Sequence, residues 1–199
     1  MDESIAKEFM RDRYNVSRET FERLQIYQSL LIKWQKAVNI VSRGTLDSFW
    51  KRHVLDSLQL STYIKGKQVL DIGSGGGFPG MILAICTDFQ ITCLDSDRKK
   101  MIFLEEVARL TSTNVRILTM RAEELDEKFD TICARGFSSL TNLLSLTYSH
   151  AEYGVFLKGQ KLQQEISEAK QYHDFSYQIF NSETDSSGNI IVINNIIEK

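Results

Sequence analysis

A short apolar run, Val69-Leu70-Asp71-Ile72, breaks at once into Gly73-Ser74-Gly75-Gly76-Gly77-Phe78-Pro79-Gly80. A run of that length bounded by glycines reads as a buried strand. The glycines admit backbone conformations and close approaches that side chains forbid. Strand, glycine-rich turn and helix in succession is how an α/β sheet brings main chain against a ligand, so the rest of the chain has to be placed around this turn.

The pattern is D-x-G-x-G-x-G, with Asp71, Gly73, Gly75 and Gly77 in place. Counted from Gly73 as the dinucleotide fingerprint G-x-G-x-x-G, it fails at the sixth position, where Phe78 replaces the small residue that helix packing wants. That argues against a nicotinamide cofactor. A pyrophosphate needs amide donors at a helix start with no anion beside them. Asp71 precedes the loop and suits a ligand carrying positive charge, such as the ammonium and sulfonium of S-adenosylmethionine. A helical stretch over 80–86 and a second strand over 90–94 then lead to Asp95. An acid at the next strand end accepts hydrogen bonds from ribose hydroxyls. Many glycine turns hold nothing; here strand context, four matched positions and a second acid in register favour a ligand over a bare turn.

With 199 residues, 42% hydrophobic content and one proline, the chain can bury one good core and hardly two. The organisation expected is a helical extension over 1–66 packed on a core over 67–199. No stretch approaches the length of a membrane span, and Met1-Asp2-Glu3-Ser4 is unlike a signal peptide, so a soluble, cytoplasmic protein is expected. Cys86, Cys93 and Cys133 are odd in number, lack C-x-x-C spacing and lie in apolar runs, which predicts reduced core thiols and no metal. The net charge of −2 excludes a general electrostatic binder of nucleic acid, but residues 1–66 carry +3 and the remainder −5. Contact with nucleic acid would have to be local and oriented.

Ser17 is a helix N-cap with Glu19 in the first turn, and Phe21, Leu24, Tyr27, Leu31, Trp34 and Val38 follow at helical spacing. The apolar stripe, Trp34 included, is expected to pack on the core. The polar stretch 39–44 ends this helix. A second is expected from Thr45 through Leu58, where Asp56 stands four residues after Arg52 as a helical ion pair and His53 is exposed or satisfied. From Lys67 the pattern becomes short apolar runs alternating with helical segments. Strands are expected at 68–72, 90–94, 115–119, 129–134 and 153–157, and helices at 78–86, 98–110, 138–150 and 160–171. Such alternation means a parallel sheet with helices on both faces. Residues 175–181 and 190–197 flank a polar loop and predict an antiparallel hairpin at one edge, for seven strands in all. Asp71, Asp95, Arg121 to Glu123, Arg135 and Lys158 all fall at strand ends, where ligands bind in such sheets. Glu123 and Glu124 also suit a helix first turn, and Lys158 a solvated position.

Arg52-His53-Val54-Leu55-Asp56-Ser57-Leu58, the glycine turn, Asp95 with Lys99-Lys100, Phe103-Leu104, Arg121-Ala122-Glu123-Glu124, Arg135 and Leu157-Lys158-Gly159 together resemble the bacterial ribosomal RNA small-subunit methyltransferase G family, also called the glucose-inhibited division protein B family. The chain departs from that pattern at Met120, where glycine is common, and at Gly136, where alanine is. The resemblance implies a Rossmann-like class I S-adenosylmethionine-dependent methyltransferase acting on N7 of guanine 527 in the 530 loop of 16S ribosomal RNA. Its cofactor contacts would fall on Gly73, Phe78, Ala122, Glu123 and Arg135, beside Gly75 of the glycine pattern and Asp95 from the strand-end argument. Arg52, His53, Arg135 and Lys158 are the candidates for the substrate side. Lys33, Lys36, Arg43, Lys51 and the cluster Arg98-Lys99-Lys100 are candidates for RNA phosphates. The partner expected is 16S rRNA in the small subunit or an assembly intermediate.

Guanine N7 carries a free lone pair and no proton, so its methylation needs no general base. In keeping with this, the Asn-Pro-Pro-aromatic tetrad used for exocyclic amines is missing, no cysteine has a nucleophile's context, and no catalytic residue is named. A small-molecule methyltransferase would share the turn and the sheet, and a non-catalytic ribosome-assembly factor would keep the fold while binding RNA.

Overall fold

A computed structural model describes residues 2–199, with the side chain of Arg43, one of the phosphate candidates, outside the described residues. Alternate strand residues point to opposite faces, and both faces of this sheet are apolar. Val69, Cys93, Cys133 and Val155 face one way, and Leu70, Leu94, Ile132 and Phe156 the other. Strands buried on both sides need helices on both sides and run parallel. The parallel set is β1 (Gln68–Ile72), β2 (Gln90–Asp95), β3 (Arg116–Thr119), β4 (Thr131–Arg135) and β5 (Tyr153–Lys158). The hairpin β6 (His173–Asn181) and β7 (Asn189–Glu198) completes seven strands in the order β3-β2-β1-β4-β5-β7-β6. β7 pairs antiparallel with β5, leaving β6 at the edge. Strand order reverses between β1 and β4, so a crevice opens beyond their carboxyl ends.

The first face is covered by α1 (Glu3–Tyr14), α2 (Arg18–Trp34), α3 (Asp56–Leu58), α4 (Gly80–Cys86) and α5 (Arg98–Thr111), which bury Met10, Leu24, Tyr27, Met81 and Phe103 there. The second is covered by α6 (Leu140–His150) and α7 (Leu162–Ala169), through Leu140, Leu144, Leu162 and Ile166. Ser17 caps α2 through Thr20 N, and the ring of Trp34 packs 5.7 Å from that of Phe103, as the apolar stripe predicts. The three cysteines carry no disulfide, and Cys93 and Cys133 are buried.

Beyond shifts of one or two residues at other element ends, three local features differ from the sequence expectation. α1 was not foreseen, because only Ala6 and Met10 of its residues are buried and its apolar periodicity is weak. Asp2 caps it through Ser4 N and Ile5 N. The single helix expected from Thr45 is instead a 3-10 stretch (Arg43–Ser48), a π-helical stretch (Phe49–Leu55), α3 and a further 3-10 turn (Gln59–Thr62). The start of the π-helical stretch is held from outside, by the Glu3 carboxylate accepting from Trp50 N (2.8 Å) and Lys51 N (3.1 Å). Finally, α4 begins at Gly80 rather than Phe78, and Gly77 N and Phe78 N still belong to the turn, donating to Ser74 O.

Candidate active site

The glycine turn is tied to the end of β2. Gly73 N and Ser74 N donate to Leu94 O at 2.8 and 3.0 Å, while Ser74 Oγ accepts from Leu94 N. Gly73, Gly75 and Gly77 have φ of 68°, 55° and 90°, the left-handed region that side chains rarely adopt. A Cβ at Gly75 would point into open space, with Gly73 O at 3.8 Å and Asp95 Oδ2 at 4.0 Å as its only near neighbours. That space is the cleft. The Asp95 carboxylate faces it, accepting from Gly75 N and Asp97 N at 2.9 Å each. On the far side Tyr27 of α2 donates its hydroxyl to Gly76 O, so the helical extension braces the turn.

The cleft encloses about 630 Å³. The glycine turn and Asp95 form one wall, Arg52, His53 and Arg135 another, and the β6–β7 loop closes the rim. Arg135, at the end of β4, is held on four sides. One terminal nitrogen donates to Arg52 O (2.5 Å) and Asp56 Oδ2 (3.3 Å), and the other to His53 Nδ1 (2.9 Å). Its guanidinium carbon stands 4.9 Å from the centroid of Phe78. A guanidinium only donates, so Nδ1 of His53 accepts and the imidazole proton sits on Nε2, 3.0 Å from Thr45 Oγ1. Burial, reinforced by Arg135 and Arg52, lowers the pKa of His53 to about 3, so the ring is neutral. Burial also pulls the Arg135 pKa down, and Asp56 opposes it. Asp56 in turn accepts from Thr184 Oγ1 (2.6 Å) and Gln59 Nε2 (3.0 Å). Next to Thr184, Glu183 takes Arg13 Nε (2.8 Å) and the Tyr14 hydroxyl (2.7 Å) of α1. The far end of the chain is thereby fastened to the site from two directions.

Several expectations need correction. Asp71 does not face the cleft: it is fully buried on the face covered by α1 to α5, in register with Cys93 and Cys133, and accepts from Gly80 N at 2.9 Å. Its role there is to cap α4. Burial raises its pKa to about 7 against the hydrogen bonds that lower it. Arg52 and Asp56 form no ion pair, because the π-helical stretch changes the i,i+4 geometry and Asp56 turns to Arg135. The Phe78 ring is 4% exposed, stacked between Tyr27 (centroids 5.5 Å apart) and His53 (4.5 Å), so it forms floor rather than free wall. Ala122 is buried in a 3-10 turn and Glu123 is exposed beside a separate groove along α6, so neither lines the cleft. Lys158 is not solvated: its side chain is 8% exposed and its ammonium is taken up by Glu165 and Ser138 O, each at 2.7 Å. Among the basic candidates Lys100 reaches the cleft, while Lys33, Lys36, Arg98 and Lys99 are exposed outside it. Thr45, Gln59, Thr184 and Phe137 were missed. Of these only Phe137, just past the end of a strand and preceded by glycine, left a trace in the sequence.

No group of three metal-ligating side chains occurs among the described residues, and no described helix is long and apolar enough to cross a membrane. Solved structures share the fold. Magnesium protoporphyrin IX methyltransferase from Synechocystis PCC 6803, with bound SAM, superposes with a TM-score of 0.57 at 12% identity, covering 98% of this chain and 97% of that one. A ribosomal protein L11 methylase from Lactobacillus delbrueckii subsp. bulgaricus gives 0.56 at 20% identity over 71% and 76%. In sequence, the Ribosomal RNA small subunit methyltransferase G of Orientia tsutsugamushi (strain Ikeda) is 39% identical over 190 residues, 94% of this chain and 96% of its own length. That of Rickettsia prowazekii (strain Madrid E) is 38% identical over 185 residues, 91% and 97% respectively. The family model described as rRNA small subunit methyltransferase G matches residues 20–189. With turn, strand-end acid and helical extension assembled around one cleft, the chain belongs to the rRNA small subunit methyltransferase G family.

Proposed function

We propose that the cleft binds S-adenosylmethionine and that the protein methylates N7 of guanine 527 of 16S rRNA, acting on the small ribosomal subunit or an assembly intermediate in the cytoplasm. The observation that carries this reading is the space above Gly75 beside the Asp95 carboxylate, a cradle into which a Cβ at that position would project. When bound, the cofactor supplies an electrophilic methyl group.

The protein's part is to bind and align. Asp95 accepts from ribose hydroxyls, Gly75 allows close approach, Gly73 supplies the left-handed turn that presents it, and the stacked Phe78 and Arg135 keep the floor rigid. Ala122 and Glu123 stand beyond β3, on the side where the adenine edge would be held. His53 is neutral and already donates its one proton to Thr45, which suits a reaction that moves no proton. Arg52 at the mouth, with the exposed Lys33, Lys36, Arg98 and Lys99, offers cations to RNA phosphates. Lys158 serves the substrate side through the Ser138 carbonyl it holds. Alignment of N7 with the methyl group accounts for the rate without a general base.

The test is to incubate the protein with methyl-labelled S-adenosylmethionine and small subunits lacking their 7-methylguanosine, then map cleavage at new 7-methylguanosine. One new site in the 530 loop is expected. Cofactor binding without transfer overturns the acceptor, and absence of binding overturns the cofactor.

A further inference from the structure

Phe137 is 42% exposed, and it lies in the cleft rather than on an outer face. Its ring rests on the glycine turn so closely that a Cβ at Gly73 would fall 2.0 Å from ring carbon Cδ2. The backbone that follows it is held. Gly136 turns the chain at φ 63°, with nothing within 4 Å of where its Cβ would be. Beyond Phe137, Ser138 O accepts from Lys158, and Glu165, paired with that lysine, accepts from Leu140 N at 2.8 Å. Ser139 caps α6 through Asn142 N. A largely buried ion pair is an expensive way to hold a surface loop. Here it fixes the backbone beside a ring that stays 42% exposed in the cleft Arg135 also lines.

We propose that Phe137 is the stacking surface for the acceptor purine, an inference that rests on the methyltransferase reading above. Methylation at N7 requires the lone pair, which lies in the ring plane, to point at the methyl carbon. A base stacked on Phe137 has its plane fixed while its edge, N7 included, stays free. In the transfer the N7 lone pair forms the new C–N bond as the C–S bond breaks, leaving its electron pair on sulfur. The positive charge passes to the purine and no proton moves. A purine gaining positive charge over an aromatic face is attracted by the ring's quadrupole. The contact is therefore stronger in the transition state than in the ground state, which is the kind that raises kcat.

Four proteins decide it: wild type, Phe137→Ala, Phe137→Leu and Phe137→Trp. Each is assayed for labelled methyl transfer to small subunits lacking 7-methylguanosine, and for S-adenosylhomocysteine affinity by calorimetry. Phe137→Ala is expected to lower kcat/KM by about 5- to 150-fold, the range for loss of one base–aromatic stack, with part of the loss in kcat. Phe137→Leu should resemble the alanine variant, Phe137→Trp should retain most activity, and S-adenosylhomocysteine affinity should not change. Wild-type rates for Phe137→Ala or Phe137→Leu overturn the proposal. So does a parallel fall in S-adenosylhomocysteine affinity, which would make the ring a cover for the cofactor. Wild-type protein that transfers no label refutes the methyltransferase reading itself; transfer by wild type with undiminished transfer by the alanine variant refutes the stacking role alone.

Discussion

Removing the carboxylate of Asp56 should loosen the substrate wall and the C-terminal hairpin together. In Asp56→Ala, Thr184 Oγ1 and Gln59 Nε2 lose their acceptor, and the Arg135 guanidinium loses its only carboxylate. The two bonds run from neutral donors to this carboxylate and contribute about 1.5 kcal/mol each, the low end for hydrogen bonds to a charged group. Stripping the partner from a fully buried ion costs about 3–5 kcal/mol. Here both side chains are about one-fifth exposed, the pair is 3.3 Å apart, and Arg135 keeps Arg52 O and His53. We therefore expect a loss of about 2–4 kcal/mol in denaturant unfolding, which for a chain of this size lowers Tm by on the order of 5–15 °C. Asp56→Asn keeps an acceptor for Thr184 and should lose about half as much. Arg52→Ala should cost less than about 0.5 kcal/mol, because its exposed side chain carries no ion pair. In double-mutant cycles Asp56 should couple to Arg135 by about 1–3 kcal/mol and to Arg52 hardly at all. An Asp56→Ala cost below about 1 kcal/mol, or equal coupling to both arginines, would refute the network and restore the simple helical pair.

Asp71 and His53 should oppose one another in acid. Asp71, raised from 3.8 to about 7, stabilises the fold fully below its unfolded pKa and loses that contribution as pH rises through 7, whereas His53, lowered from 6.5 to about 3, stabilises it above 6.5 and loses that contribution as pH falls. Each slope reaches about 1.4 kcal/mol per pH unit, so thermal melts from pH 4 to 6.5 should show Asp71→Asn newly acid-sensitive and His53→Gln gaining stability as pH falls. Tyr27→Phe keeps the ring stack on Phe78 but drops the bond to Gly76 O, so calorimetry should show weaker S-adenosylhomocysteine binding and melts a loss of about 1 kcal/mol. Lys158→Met should cost about 2–3 kcal/mol by leaving Glu165 without its cation, and adding Glu165→Gln should recover part of that in chemical denaturation.

The sheet was legible because its signals are local. Strands buried on both faces write continuous apolar runs, as in Val69-Leu70 and Ile132-Cys133-Ala134, and β1 begins and ends where the sequence places it. The glycine turn was legible for the same reason, since a left-handed backbone at three positions in five residues leaves almost no alternative to glycine. Asp95 could be placed by counting along the chain from that turn. Orientation could not be counted in the same way. Asp71 and Asp95 both close strands at the carboxyl edge, yet Asp71 follows the alternation of β1 into the core beneath α4, whose first amide it caps, while Asp95 meets the amide of Gly75.

What the sequence by itself determined, then, is the parallel sheet, the position of the ligand turn and, through its combined motifs, the family. Tertiary structure alone decided the chemistry of the wall opposite that turn. Asp56 is separated from Arg135 by 79 residues and from Thr184 by 128, and the π-helical stretch that aims it is anchored by Glu3 of α1. Contacts between segments so far apart in sequence leave no periodicity in either one, and hydrogen-bond partners across such distances are chosen only once the elements carrying them have packed.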